Sequence, residues 1–332
     1  MSGPGLYDTS DLGGDPVTDA DGTADSSEVA GRSPLRIAFD RLRKDKIAIV
    51  SAAVVLMFFL IAIFAPLIAA AFGVDPDTRY RNLLEFDGYP AEGASLDHPF
   101  GIEPTNGRDL FARWVYGARY SVLIAVTAAT IATFLGIVVG LLAGFFGGWV
   151  DRVLSFVIDV FLSLPFLLVA IAVAPIVAAQ FADQGLDVFG RAQLIVLILI
   201  LSVFGWMGLA RLIRGEVLSL REREFILAAR AIGAPTHRIL FRELLPNLVA
   251  PIVISISLGI PAYVTAEAGL SLLGVGLVEQ PSWGRTIALA TNWFGIVNTY
   301  LLAPVLGVLF LVLALNLLGD SVRDALDPKT RR

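Results

Sequence analysis

Six stretches of this chain run almost without charge. Residues 47–74, 120–150, 192–210 and 286–319 contain no Asp, Glu, Lys or Arg, while 154–182 contains only Asp159 and 244–278 only Glu267. A bilayer core about 30 Å thick is crossed by roughly 20 apolar residues of helix. Helix is required because lipid offers no partner for a backbone N–H or C=O. Each stretch is long enough, some with residues left over for loops. A soluble domain carries about 25% charged residues, whereas this chain carries 17% with a mean hydropathy of +0.75. The pattern predicts an all-α polytopic membrane protein with six transmembrane helices.

The first stretch is 28 residues long, with Ala69-Ala70-Ala71 near its end. That is about twice a signal-peptide core, and it begins too far from Met1 to be one. It reads as a lasting membrane anchor. Ahead of it, residues 1–31 hold seven acids and no base. Rich also in Gly, Ser and Thr, they offer too little apolar surface to offset ordering, which predicts a disordered tail. The absence of cysteine excludes disulfides, thiol catalysis and Cys-ligated metals.

Six spans place both termini on one side. With the amino end cytoplasmic, the inside segments hold 18 of the 25 basic residues, the bias expected of cytoplasmic loops. The chain then divides into an acidic cytoplasmic tail (1–33), an interfacial helix (34–46), a first span (47–74) and an external segment (75–118). A five-span core follows (119–320), with a cytoplasmic loop at 211–247, and then a C-terminal cytoplasmic tail (321–332). The interfacial helix is read from Leu35, Ala38, Phe39 and Leu42 at i, i+3, i+4, i+7 between basic flanks. Apolar burial and anionic lipid would hold it on the inner leaflet.

Residues 221–247, REREFILAARAIGAPTHRILFRELLPN, carry five arginines and three glutamates between two long apolar runs. Phe225, Ala228, Ala229 and Ile232 repeat at helical spacing. Gly233 can take the left-handed conformation that ends a helix, and Pro235 suits the first turn of the next. Ile239, Leu240, Glu243 and Leu244 continue that period up to Pro246. The segment is a helix, a glycine bend and a second helix, too short and charged to span. It is either a folded loop on the bilayer surface or a docking element, with Ala228 and Ala229 admitting a close partner and the charges setting register. Spacing alone leaves both open.

The segment resembles the cytoplasmic "EAA" loop of ATP-binding-cassette importer permeases, patterned E-A-A-x3-G-x9-I-x-L-P. Ala228, Ala229, Gly233, Leu245 and Pro246 fall in register, while Leu227 replaces the first Glu and Glu243 the Ile. Glu224, upstream, is the candidate for the missing acid, and Arg230 lies between the alanines and the glycine. HPFGIEPTNGRDLFARWVYGARYS (98–121) resembles HPxGTDxxGRDxxSRxxYGxRxS of the dipeptide/oligopeptide/nickel permeases, with Ile102-Glu103 in place of Thr-Asp. RLIRGEVLSLREREFILAARAIGA, ELLPN, EAGLSLLGVG, PSWG and NLLGDSVRDALDP follow in that subfamily's order. The resemblance runs from about residue 34 to 329 and favours the docking reading.

The resemblance implies a type I importer permease with a MetI-like core and an extra N-terminal span, in a bacterial plasma membrane. It implies a second homologous permease, two P-loop ATPase subunits docked on loops of this type, and an extracytoplasmic solute-binding protein. ATP and Mg would be held by the ATPases, with no cofactor on this chain and no nucleic acid as partner. Di- or oligopeptides are the implied cargo, with nickel or another small solute as the alternative. Consistently, the only lysines are Lys44, Lys46 and Lys329, and none follows glycine as a Walker A lysine must.

A secondary transporter, driven by an ion gradient, is the competing class. Its mid-membrane ionisable candidates are Asp159 and Glu267, since such groups are costly there and are kept for a reason. Location near a helix end, or a hydrogen bond to a neighbouring helix, accounts for both equally well. A membrane enzyme is excluded more firmly, because the topology sets His98 and His237, the only histidines, on opposite faces. Gly136, Gly140, Gly144 and Gly148 recur every four residues, a strip for close helix approach that reads as static packing before a sliding contact. Pro165, Pro175, Pro251 and Pro261 predict kinks. The external segment, acidic throughout, is either a self-packed cap or part of a docking face for the binding protein.

Overall fold

The computed structural model describes residues 34–327. The expected acidic tail and the last five residues lie outside the described residues. Among the described residues six helices are long and apolar enough to cross a membrane: Lys46–Ile63, Leu110–Phe146, Phe166–Gln184, Leu186–Leu220, Thr236–Leu272 and Asn298–Leu326. Among the described residues β-pairing is limited to isolated bridges in and beside the segment before the second span.

A short helix α1 (Pro34–Leu42) precedes the first span α2 (Lys46–Ile63), which is followed by the short helix α3 (Ala65–Ala71). Asp45 makes the junction. Its Oδ1 accepts from the Ile47 N–H, capping α2, and its Oδ2 accepts from the Ser321 hydroxyl at 2.8 Å. These bonds hold the Asp45 carboxyl below the usual carboxylate range, the Ser321 bond most of all. Arg41 donates to the Ala325 carbonyl at 3.3 Å, so α1 is seated on the end of the last span. Ala38 is buried there while Phe39 stays exposed. The interfacial stripe is thus divided between protein and surroundings.

Helix α4 (Leu110–Phe146) starts nine residues before the expected core boundary at 119. The cause is local: Asp109 Oδ1 accepts from the Ala112 N–H at 2.6 Å, an N-cap that satisfies a free donor of the first turn. The glycine strip faces α8 (Met207–Leu220). A Cβ on Gly140 would lie 2.7 Å from the Ala210 carbonyl oxygen, and one on Gly144 2.7 Å from Val217 Cβ. The strip is packing within one chain. Gly148 does not belong to it, because it begins the next helix with open space around it.

The third charge-poor stretch breaks into α5 (Gly148–Ser163) and α6 (Phe166–Ala179). Pro165 supplies no N–H, and Leu164 before it adopts an extended conformation, ψ 127°. Helices α7 (Leu186–Gly205) and α8 join through Trp206 into one continuous rod, the fourth span. Helix α9 (Glu224–Ala231) follows it.

The expected second helix of the bend is not free-standing. From α10 (Thr236–Arg238) the chain passes through a π-helical stretch, Ile239–Leu244, and a 3₁₀ turn, Leu245–Leu248, into α11 (Val249–Leu272). The wider turn absorbs Pro246, which cannot continue a regular i→i−4 ladder. Residues 236–247 are the extension of the fifth span. Helix α12 (Trp283–Ala290) and the last span α13 (Asn298–Leu326) complete the bundle, and α13 runs past the expected boundary at 320 because its helical period carries on through Ala325.

Candidate functional site

The bend between the fourth and fifth spans is built around one buried side chain. Ile226, on α9, is fully buried with Ile213, Val217, Ile239, Leu244 and Leu248. Ala229, one turn on, packs partly against the same cluster. The predicted stripe therefore splits. Ala229 turns inward, whereas Phe225, Ala228 and Ile232 face outward with Leu227, and Ile232 is 78% exposed. Ile226 was missed by sequence reasoning; its only signal is the i, i+3 relation to Ala229.

Gly233 ends α9 with φ +76°. Its N–H donates to the Arg230 carbonyl and that of Ala234 to the Ala229 carbonyl, both at 3.0 Å. This pair of bonds is the Schellman arrangement, in which a left-handed residue lets two late N–H groups reach back. Pro235 stands just ahead of the next helix as its cap residue. Arg230 lies over the Phe145 ring at 5.3 Å, and Arg221 donates to the Gly144 carbonyl at 3.2 Å. Both tie the bend to the end of α4. Glu224 is exposed in the first turn of α9, where a carboxylate favours the helix N-terminus. Leu245 is half-buried and Pro246 exposed in the 3₁₀ turn. The seven expected residues thus sit on one connected element, with Leu245 and Ala229 serving its core.

Glu267 is fully buried. Its two oxygens accept from Ser121 and Ser271 at 3.0 Å each, and Ser121 in turn accepts from the Trp283 backbone N–H at 3.2 Å. Glu267 is a clamp between α4, α11 and α12. It brings three separate motifs together: Ser121 closes the 98–121 stretch, Glu267 and Ser271 lie in EAGLSLLG, and Trp283 in PSWG. Trp283 donates to the Trp114 carbonyl at 2.9 Å and meets Phe58 of the first span edge-on at 5.6 Å. At this opposite end of the bundle, Glu103 accepts from the Tyr300 hydroxyl at 2.8 Å, with buried Arg113 beside it. His98 Nδ1 lies 2.7 Å from Asp109 Oδ2, holding the external segment to the start of α4. His98 and His237 are far apart in the fold, and among the described residues no cluster is arranged to hold a metal.

Two ion pairs join α5 to α8. Arg214 engages both oxygens of Asp151, at 2.5 and 2.8 Å, and Ser155 adds a third bond to that carboxylate. Asp159 meets Arg211 through a single contact at 2.5 Å. Asp159 is therefore bonded to a neighbouring helix, while remaining open on its outer side. A separate cavity of about 330 Å³ is lined by Thr133, Gly205, Gly208, Leu212, Ser255 and Tyr263, among others.

Residues 136–332 match a family model described as a binding-protein-dependent transport system inner membrane component. Residues 33–85 match the N-terminal transmembrane domain of oligopeptide transport permease C. The chain is 36% identical over 300 residues to the dipeptide transport system permease protein DppC of Alkalihalophilus pseudofirmus, covering 90% of this chain and 91% of that one. It is 39% identical over 303 residues to the glutathione transport system permease protein GsiD of Salmonella typhimurium, covering 90% and 92%. With the oligopeptide transport system permease protein OppC of Bacillus subtilis it shares 31% over 296 residues, covering 88% of each. In fold it is similar to a chain in a structure of the MetNI methionine ABC transporter in inward-facing conformations, with a TM-score of 0.50 at 19% identity over 66% of this chain and 98% of that one.

Proposed function

From the premise that the chain belongs to the binding-protein-dependent transport system inner membrane components, the permeases of ABC importers, we propose that it forms one half of a translocation path for di- or oligopeptides. A second homologous permease supplies the other half. Two P-loop ATPase subunits hold the ATP and Mg, and an extracytoplasmic binding protein delivers the cargo. The bend at 221–247 takes up the work of the ATPases, with both termini in the cytoplasm of a bacterial cell.

One observation carries the coupling reading. Phe225, Leu227 and Ile232 are exposed on a charged segment that joins two spans. Apolar side chains gathered on such a surface mark a protein contact. Ala228, small and exposed between them, lets a partner approach the backbone. The peptide reading is supported by the dipeptide, oligopeptide and glutathione systems named for its relatives.

Isolation of the native complex tests both parts. Expected are an ATPase, a second permease and a binding protein, with peptide among the bound solutes. A chain that moves solute alone, or uptake lost to an uncoupler while ATP is held constant, overturns the coupling reading.

A further inference from the structure

Three guanidinium groups gather around one carboxylate where the external segment joins the bundle. Glu103 and Arg108 close a tight loop: the Glu103 N–H donates to the Arg108 carbonyl at 2.7 Å, and the Gly107 N–H to the Glu103 carbonyl at 2.9 Å. Thr105, inside that loop, is the one non-glycine residue at positive φ among the described residues, at +67°. Such a conformation persists only where its surroundings hold it. The loop sets Glu103 against Arg113 of α4 and Tyr300 of α13. Arg108 is close enough to act on the Arg113 charge, and Arg285 of α12 on Tyr300.

The hydrogen bonds of this cluster do not balance. Arg113 is 1% exposed, yet its Nε and Nη1 meet no acceptor, and neither do the buried Nε atoms of half-buried Arg108 and Arg285. Buried donors are almost always bonded, and an unmatched buried charge is the costliest exception. Glu103 Oε1 already accepts from the Tyr300 hydroxyl and the Asn106 amide. Glu103 Oε2 lies 3.7 Å from Arg113 Nε, and a small shift pairs those two atoms. That still leaves Arg113 Nη1 and the two other Nε atoms, one on each of three cations. Gln280 Oε1, also buried without a donor, packs against Gly190 of α7 instead. Among the described residues neither Arg108 nor Arg285 has an ion pair, and Asp77, which acts on Arg113, is exposed.

We propose that Arg108, Arg113 and Arg285 hold a small monovalent anion of the chloride class, which pins the external segment to α4, α12 and α13. A water molecule brings two hydrogens of its own into a cluster already rich in donors, and it offsets no charge. A halide accepts from every side and offsets one. Arg113 is too enclosed for a side chain of another protein to reach it. The site is independent of the cargo.

The test uses the full complex with its ATPases and binding protein, moved from potassium gluconate into potassium chloride at constant ionic strength. Backbone amide exchange of residues 101–112 is expected to slow saturably, about tenfold once chloride reaches roughly ten times its Kd. Exchange that ignores the salt overturns the site. Crystals of the complex grown in bromide should show an anomalous peak within hydrogen-bond reach of Arg113 Nη1. Density there without anomalous signal is water and refutes the proposal. Arg108→Gln, at a half-buried position, should raise the chloride concentration needed about tenfold, the size of one lost charged contact. Glu103→Gln keeps an acceptor for Tyr300 and removes the competing negative charge, so it should tighten chloride binding by about tenfold. Were Glu103 and Arg113 only a structural ion pair, Glu103→Gln would speed exchange equally in both salts, and that result also refutes the site.

Discussion

The carboxylate of Glu267 and the hydroxyl of Ser121 meet at 3.0 Å although 146 positions separate them in the chain. With Ser271 on the other oxygen, that contact locks the fifth span to the second. It also gives one of the two acids in the charge-poor stretches a structural task. A proton relay needs a route in and out, whereas Glu267 is enclosed on all sides.

Replacing Glu267 with leucine strands two buried hydroxyls, each costing about 1–3 kcal/mol when left unpaired. Glu267→Leu is expected to lower the thermal unfolding midpoint of the purified complex clearly. Glu267→Gln, which still accepts one bond and can donate another, should lie much closer to wild type. Equal midpoints for all three would remove the clamp from the account of the fold.

The contrast between the two ion pairs has a stability counterpart. Asp151→Asn breaks a forked, partly shielded pair and should destabilise by about 1 kcal/mol. Asp159→Asn removes a single solvated contact and should cost less than about 0.5 kcal/mol. Thermal melts of the two variants side by side decide it, and a larger loss for Asp159→Asn would contradict the geometry.

The glycine strip predicts a difference between neighbours of the same type. Gly140→Ala would press a methyl to 2.7 Å from the Ala210 carbonyl oxygen and from Ile213 Cβ, an overpacking cost of about 1–3 kcal/mol. Gly215→Ala meets nothing within 4 Å and gains roughly 1 kcal/mol of helix propensity. Melting the two variants should therefore give shifts of opposite sign.

Much of this fold was legible because lipid imposes a single rule, long uncharged helix. The rule found six spans and missed what does not depend on charge. It saw 154–182 as one run, since Pro165 breaks a helix without altering apolarity. It ended the external segment at 118, next to the uncharged run that begins at 120, although α4 starts at Leu110 and Arg113 is buried beside Glu103. In the bend, Gly233 was readable, because only a left-handed residue makes that turn cheaply. The inward role of Ile226 was not, because an eight-residue helix with apolar side chains on two faces gives no single period. The meeting of Ser121, Glu267 and Trp283 was beyond reach, since no spacing rule joins residues so distant.

Gly233 offers the sharpest test of the coupling reading. Nothing lies within 4 Å of where its Cβ would stand, so a side chain there causes no clash. Its cost is in the backbone: at φ +76° an L-residue loses roughly 1–2 kcal/mol, and a β-branched one fares worst. Gly233→Val should unseat the Schellman bonds and swing Phe225, Ala228 and Ile232 away from a docked partner. The expected result is loss of most ATPase from the copurified complex, with the melting midpoint of the spans little changed. Gly233→Asn, which tolerates the left-handed region, should retain an intermediate amount. Wild-type ATPase retention and uptake in Gly233→Val would mean that force reaches the spans by some route other than this bend.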